Sequence, residues 1–398
     1  MLQVITRAQA AVCVREQVKN CVPRTETVDL LSAAGRVLAQ DVTASLDVPG
    51  FDRTTVDGYA VLAADTFGAG AAVPVELTVI GDVRMGEAPS FSLQSGQCAR
   101  IATGGMLPLG ADAAVMVEHT EEDAGMCLVF QGVAPGENIT KRGDDVKTGS
   151  TVLQKGTCLT AARIGVLASL GVQNVPVFQK PRIAVLSTGD ELAKGDAQPG
   201  QVQDINSFLL SAAAEAYGCT AVPLGAVPDD RDAICRALER GLADADMVLI
   251  SGGSSVGTRD MTVDILKQYG QVLFHGVAMK PGKPTIFGMA AGKPVFGLPG
   301  HPLAAYFVFR LLVREAIGEL LSLPPDKPFA VRPLAVNVPS NHGREEFLCV
   351  KTDDSGCLVP LHTKSGIVSV LAGADGFIRI PRDTEGLQKG EETELYLL

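Results

Sequence analysis

The chain contains no tryptophan, and aromatic residues are only 5% of its 398 positions, so aliphatic side chains must build its cores. It has no run of lysine and arginine, and its formal net charge is −11, which argues against a nucleic-acid binder. That acidity reads as solubility or, more sharply, as magnesium-assisted chemistry on phosphates. It has no C-x-x-C pair. Its 9 cysteines are an odd number, and its 5 histidines are scattered away from them. A disulfide framework or a zinc site is therefore not expected, and reduced cytosolic thiols fit best. No apolar run approaches the length of a membrane span, and MLQVITRAQAAVCVREQV lacks a signal-type apolar core. The expectation is a soluble, cytoplasmic protein without nucleic-acid or membrane partners. There is no internal repeat or low-complexity segment. The 43 glycines and 23 prolines accompany a 46% hydrophobic content, so they imply tight turns rather than disorder.

What is present is patterned. At about 150 residues per domain the length suits roughly two to four domains. Apolar positions at helical spacing (Ile5, Ala8, Val12) predict a helix over 4–20 with Thr6 as N-cap. Val28–Leu38 reads as a strand followed by a helix, and Pro49-Gly50-Phe51 breaks the pattern. From about 50 to 145, short β-rich runs (Val73–Gly81, Cys98–Ala102, Ala113–Glu118, Cys127–Phe130) alternate with Gly/Pro turns. A helix with Thr160 as its cap follows. From 181 to about 320, strands at 183–187, 221–226, 247–250, 272–276 and 294–298 alternate with helices near 205–217, 229–242, 260–269 and from Pro302. After Pro324-Pro325 the chain turns β-rich again. The expected fold is multidomain α/β plus β. Residues 1–48 and 146–178 form a discontinuous helical domain, and 49–145 an inserted small β domain. Residues 179–324 form a doubly wound, mostly parallel sheet domain, and 325–398 a C-terminal β-barrel-like domain.

Three glycine-rich loops adjoin apolar runs in the α/β region: Ser251-Gly252-Gly253-Ser254-Ser255-Val256-Gly257, Lys280-Pro281-Gly282-Lys283-Pro284, and Gly297-Leu298-Pro299-Gly300-His301-Pro302. Loops at the carboxyl ends of neighbouring strands form the binding crevice of an open α/β sheet. Backbone N–H groups, lysines and a helix start suit an anionic, phosphate-bearing ligand. The first loop lacks Walker A spacing, so nucleoside triphosphate hydrolysis is not indicated. Asp260 reads either as the N-cap of the next helix or as a metal ligand. His301 reads as an anion contact or as a turn cap. Ser187-Thr188-Gly189-Asp190-Glu191-Leu192 puts carboxylates at the same sheet edge, where they are either solvated or Mg2+ ligands. Phe51–Ala60, Arg100–Gly105 and Gly143–Asp145 are dense polar runs whose position relative to the loops the spacing does not fix.

Taken in order, Pro49–Ala60 (PGFDRTTVDGYA), Thr103-Gly104, Gly143–Asp145, Ser187–Leu192 (STGDEL), Ser251–Gly257 with Asp260, Ala278–Pro284 (AMKPGKP) and Gly297–Pro302 (GLPGHP) resemble the molybdopterin molybdenumtransferase family, which includes the E domain of gephyrin. The resemblance covers nearly the whole chain. It implies an elongated four-part subunit acting as a homodimer, with a site shared between the α/β domain of one copy and the β and C-terminal domains of the other. It also implies insertion of molybdate into adenylylated molybdopterin with Mg2+, releasing AMP and forming molybdenum cofactor. Implied partners are a molybdopterin adenylyltransferase and molybdoenzyme maturation proteins.

By position, the family's catalytic residues fall on Asp57, Thr103, Asp145, Glu191, Asp229, Asp260, Lys280 and Ser365. Ser251, Gly252, Gly253, Ser255, Gly257, Lys283, Gly297, Pro299 and Gly300 would bind the pterin and its phosphates. Glu191, Asp260 and Asp229 would hold the metal. Two basic residues of relatives are replaced, by Gly276 and Cys349, and Lys351 or Arg344 is the expected substitute. The rivals are a molybdopterin adenylyltransferase, which the flanking regions disfavour, and a gephyrin-like scaffold without catalysis, which the intact carboxylates disfavour.

Overall fold

The computed structural model describes residues 4–398 apart from 22, 194, 253–255, 362, 363 and 365; the side chains of 256–260 also lie outside the description. At its centre is a six-stranded sheet, ordered Thr220–Val227, Arg182–Thr188, Met247–Gly252, Lys293–Leu298, Ile286–Ala290, Gly270–His275. The first four strands are parallel; Ile286–Ala290 joins them antiparallel, and Gly270–His275 pairs antiparallel with it and so runs in the direction of the first four. A parallel strand covered on both faces must be apolar throughout, and Ile183, Ala184, Val185 and Leu186 are all fully buried.

Alternation along the strands divides these residues between two cores. Ile183, Val185, Met247, Leu249 and Phe296 pack with the helices Arg7–Val18 and Ile205–Ala216 and with the stretch from Pro302 to Leu321. Ala184, Leu186, Val248, Ile250 and Val295 face the helices Arg231–Asp244 and Val256–Tyr269. Thr6 caps the first helix through a capping box with Gln9, as its sequence predicts. The stretch from Pro302 runs as an α-helix to Val308, as a π-helix over Phe309–Val313, and as an α-helix again over Arg314–Leu321.

Four sequence-based expectations are corrected. The helix expected near 260 begins at Val256, so Asp260 is its fifth residue and cannot be its N-cap. The segment after Thr25–Asp29 is a run of turns rather than a helix: Asp29 Oδ1 caps the amides of Leu31 and Ser32, but Gly35, at φ +74, ends the turn and donates its amide to the Leu159 carbonyl. Thr160 stands at the N-cap of Ala161–Ser169, but its side chain makes no capping bond. The strand Ile286–Ala290 was not expected; it forms a hairpin with Gly270–His275.

Residues 58–129 form a second six-stranded sheet, ordered Ala113–Met116, Gly58–Val61, Gln97–Ile101, Val75–Val83, Met126–Val129, Thr120–Asp123. Tyr59, Leu77, Cys98, Val115 and Cys127 fill one of its faces. Its entry and exit meet at one point, where the amides of Asp145 and Val146 donate to the Val48 carbonyl and that of Gly143 to Pro49. Beside this junction, Thr25–Asp29 pairs with Asn174–Phe178, and Val42–Thr43 with Thr151–Leu153. The C-terminal sheet is built on Glu345–Thr352, Gly376–Ile380, Glu392–Tyr396 and Ala330–Pro333. The two-residue strand Met279–Lys280 joins its edge in parallel, opposite Glu345 and Glu346. The lysine loop of the α/β layer is thereby tied to the C-terminal sheet. Among the described residues, no helix is long and apolar enough to cross a membrane.

Candidate active site

The carboxyl ends of the parallel strands converge on one edge. A crevice of about 330 Å³ opens there, lined by Ser187, Thr188, Glu191, Asp204, Asn206, Ser251, Gly252, Gly300 and His301 among others. Such a position is where an open α/β sheet binds its ligands. Gly252 has φ +137, and a Cβ there would lie 2.2 Å from the Thr188 carbonyl, so only glycine allows the two strand ends to approach.

The crevice floor is a hydrogen-bonded network. Ser187 Oγ donates to Asp204 Oδ1 at 2.7 Å and lies 3.0 Å from Ser207 Oγ. Asn206 Nδ2 donates to Ser251 Oγ at 2.7 Å and to the Gly300 carbonyl at 2.8 Å. One amide side chain therefore ties two strand ends to the start of the following helix, which Asp204 caps. Sequence reading missed Asp204, Asn206 and Ser207. The available signal was Asp204-Ile205-Asn206-Ser207, an N-cap sequence opening a helix just after the STGDEL strand end.

Beyond the Gly300-His301 turn lies a larger cavity of about 820 Å³, bordered by Lys280, Lys283, Pro299, Arg344, Phe347, Cys349 and Lys364 among others. Lys280 Nζ pairs at 2.6 Å with Glu346, a carboxylate only 7% exposed that also accepts from Ser340. Lys283 and Arg344 have no ion-pair partner among the described residues, and the cavity wall is cationic. Of the two expected substitutes, Arg344 borders the cavity that Cys349 lines, and Lys351 borders neither cavity. Cys349 is buried, which pushes its thiol up to about 11, so it stays neutral. Gly276 is held through its backbone: its amide donates to Thr285 and its carbonyl accepts from Ile5.

The remaining expected residues fall in several places. Glu191 borders the crevice. Asp229 does not, but its amide donates to Asp190 Oδ1 at 3.1 Å, which brings it to the loop of Glu191. Burial raises the Asp229 carboxyl above the usual range, the negative charges of Asp190 and Glu191 add to this, and the Thr188 hydroxyl opposes it. Its Oδ1 is buried without a hydrogen-bond partner. Gly297 lies within its strand against Ile286 and borders neither cavity. His301 stands at the N-cap of Pro302–Val308 without a capping bond from its side chain and borders both cavities. Gly253, Ser255 and Ser365, and the side chain of Asp260, lie outside the described residues; Gly257 is described only as part of its helix.

Asp57 and Thr103 meet each other in the turns beside two strands of the second sheet. Asp57 Oδ1 accepts from the Thr103 amide at 2.7 Å and its hydroxyl at 3.0 Å, which holds the exposed carboxyl below the usual range. Asp145 is exposed at the junction. Among the described residues, none from 49–145 borders either cavity of the same chain.

Comparison with known proteins agrees with this layout along the whole chain. Residues 5–171 match the family profile "MoeA N-terminal region (domain I and II)", 184–319 match "Probable molybdopterin binding domain", and 331–398 match "MoeA C-terminal region (domain IV)". The chain is 35% identical over 397 residues to molybdopterin molybdenumtransferase 2 of Mycobacterium tuberculosis, covering 96% of this chain and 97% of that protein. It is 35% identical over 386 residues to the molybdopterin molybdenumtransferase of Bacillus subtilis, covering 94% and 90%. The solved structure of the molybdopterin biosynthesis MoeA protein from Pyrococcus horikoshii OT3 superposes with a TM-score of 0.88 at 32% identity, covering 100% of both chains. With a mostly parallel sheet at its centre and matches at both ends, the chain belongs to the MoeA family of molybdopterin molybdenumtransferases.

Proposed function

We propose that this protein is a transferase of molybdenum cofactor biosynthesis that inserts molybdate into adenylylated molybdopterin, releasing AMP. The observation that carries this reading is the pair of adjoining cavities. A phosphate-type strand-end crevice and a cationic cavity share the Gly300-His301 turn, so two anionic reactants can lie side by side. Bringing molybdate to a substrate that already bears phosphate and dithiolene negative charge is opposed by repulsion. Lys283 and Arg344 offset that repulsion on the oxyanion side. Lys280, oriented by the buried Glu346, directs a third positive charge to the same place. Ser251, Gly252 and the Pro299-Gly300 turn form the wall against which the pterin and its phosphates rest.

Mg2+ fits the carboxylate side. Glu191, Asp190 and Asp229 present hard oxygen donors at one loop cluster, and Asp229 Oδ1 is without a partner. Glu191 and Asp229, with Asp260, would hold the ion. When bound, it supplies charge neutralisation and polarisation at the phosphoanhydride. Among the described residues, which leave out the Asp260 side chain, no group of three or more His, Cys, Asp or Glu is assembled, and phosphate and water would complete the shell of the ion.

A homodimer is part of this proposal. It is supported by the position of Asp57 and Thr103, whose hydrogen-bonded pair borders neither the crevice nor the cationic cavity of its own chain, and a second copy would bring that pair to the crevice. The test is incubation with adenylylated molybdopterin, Mg2+ and molybdate. AMP release that depends on molybdate is expected; AMP release indifferent to molybdate would overturn the insertion reading. In mixtures of Asp57→Ala and Glu191→Ala chains, activity should recover beyond either variant alone, and no recovery in proven mixed dimers would exclude a shared site.

A further inference from the structure

We propose that a third cavity, on the far side of Phe347 from the cationic cavity, binds a small phosphomonoester. It measures about 400 Å³ and is bordered by Arg7 and Arg15 of the first helix, Arg310 and Arg314 of the stretch after Pro302, and Arg379 of the C-terminal sheet. Phe347 separates it from the cationic cavity and borders both. None of its arginines takes part in the proposed reaction.

The arrangement leaves guanidinium donors to spare. Two carboxylates each serve two arginines. Glu345 lies 2.6 Å from Arg7 and 2.7 Å from Arg379, and Asp326 lies 2.6 Å from Arg310 and 3.6 Å from Arg314. Arg15 pairs with Glu315 at 2.7 Å. A guanidinium carries five N–H donors, and each of these ion pairs uses only part of that set. The surface that faces the hollow carries five arginines against three carboxylates, Glu315, Glu319 and Asp326, with Glu345 and Glu394 set behind it, so the positive surplus is confined to the lining. Arg310 is only 5% exposed, is fixed by Asp326 and the Leu397 carbonyl, and gives the wall a rigid member.

Donors that reach one hollow from two helical segments and a strand suit a tetrahedral dianion better than a planar carboxylate, which two forks already satisfy. The rest of the wall is apolar. Phe377 is covered by Tyr396, stacked on it at 5.4 Å, and by Arg310, so the surface left for a flat ring is that of Leu323, Pro324, Pro325 and the outer face of Tyr396. The volume falls in the range of about 300–1,000 Å³ typical of small-molecule sites.

Titration calorimetry of the full chain with phenyl phosphate tests this. The cationic cavity also attracts phosphate, so the double variant Lys283→Gln/Arg344→Gln serves as the parent. The parent is expected to keep, beside any phosphate binding in the strand-end crevice, a site that binds phenyl phosphate more tightly than inorganic phosphate. Adding Arg15→Gln and Arg379→Gln should weaken that site at least tenfold. Both arginine side chains are 40% exposed, so their replacement should leave the thermal unfolding profile close to the parent's. If the combined variant fails to fold, Arg15→Gln alone on the parent should still weaken the site. In the otherwise native chain, Arg15→Gln should leave molybdate-dependent AMP release unchanged. Absence of binding to the parent, or binding indifferent to the arginine changes, would overturn the proposal.

Discussion

At the scale of single residues, Asp229 is held at a cost. Its Oδ1 is buried without a partner, and its carboxyl is raised chiefly by burial and then by neighbouring negative charge. A carboxyl raised by folding favours the folded state fully below its unfolded pKa near 3.8, and this contribution is lost as pH rises through the folded value. Asp229→Asn should therefore raise the melting temperature at pH 7, with little change near pH 3, while slowing AMP release. An unchanged or lower melting temperature at pH 7 would contradict the assignment of strain. Lys283 and Arg344 make the complementary case. A charge-assisted hydrogen bond contributes about 1.5–3 kcal/mol, so replacing either by Gln should raise the KM for molybdate by roughly ten- to a hundredfold. The thermal unfolding profile should stay almost unchanged.

At the scale of elements, the parallel layer was legible because its strands are unbroken apolar runs and its helices repeat at helical spacing. Three misreadings have physical causes. Gly58–Val61 follows Asp52, Arg53, Thr54 and Thr55, so its sequence reads as a polar loop, yet it pairs on both sides within the second sheet. Leu30–Gly35 has helical composition and is capped by Asp29, but Gly35, at φ +74, turns the chain and gives its amide to Leu159 after little more than one turn. Ile286–Ala290 contains Gly288 and was obscured by the neighbouring glycine-rich loops; no side chain fits at Gly288, where a Cβ would lie 2.4 Å from the Gln271 carbonyl. The carboxylates of the site were visible as residue types, but the Asn206 bridge depends on two strand ends and a helix start meeting in space. Gly252 links this scale to activity. Gly252→Ala would meet backbone at 2.2 Å and a φ of +137, costing about 1–3 kcal/mol from conformation alone. Loss of activity is expected together with a lower melting temperature. A fully active, equally stable variant would show that the strand ends can separate without consequence.

At the scale of the whole molecule, the cores differ in kind. The largest contains Ala10, Phe274, Phe287, Phe307 and Phe377, and so joins the first helix, the central sheet and the C-terminal sheet. Phe287→Ala, at a fully buried site, should cost about 3–5 kcal/mol and should loosen the first and last parts of the chain together. Distinct unfolding transitions for those two parts would argue against a shared core. Tyr59, Leu77, Val115 and Val129, in contrast, pack within the second sheet.

The chain enters and leaves that sheet through one narrow gate, where Val48 receives the amides of Asp145 and Val146. Its two ends are neighbours, so the intervening segment behaves as a cassette. A short glycine bridge from Val48 to Val146 should permit its excision, leaving a trimmed protein that folds and retains the phosphomonoester site while losing AMP release. Adding the excised segment as a separate chain would then ask whether catalysis needs a covalent tether or only the presence of that carboxylate-bearing surface.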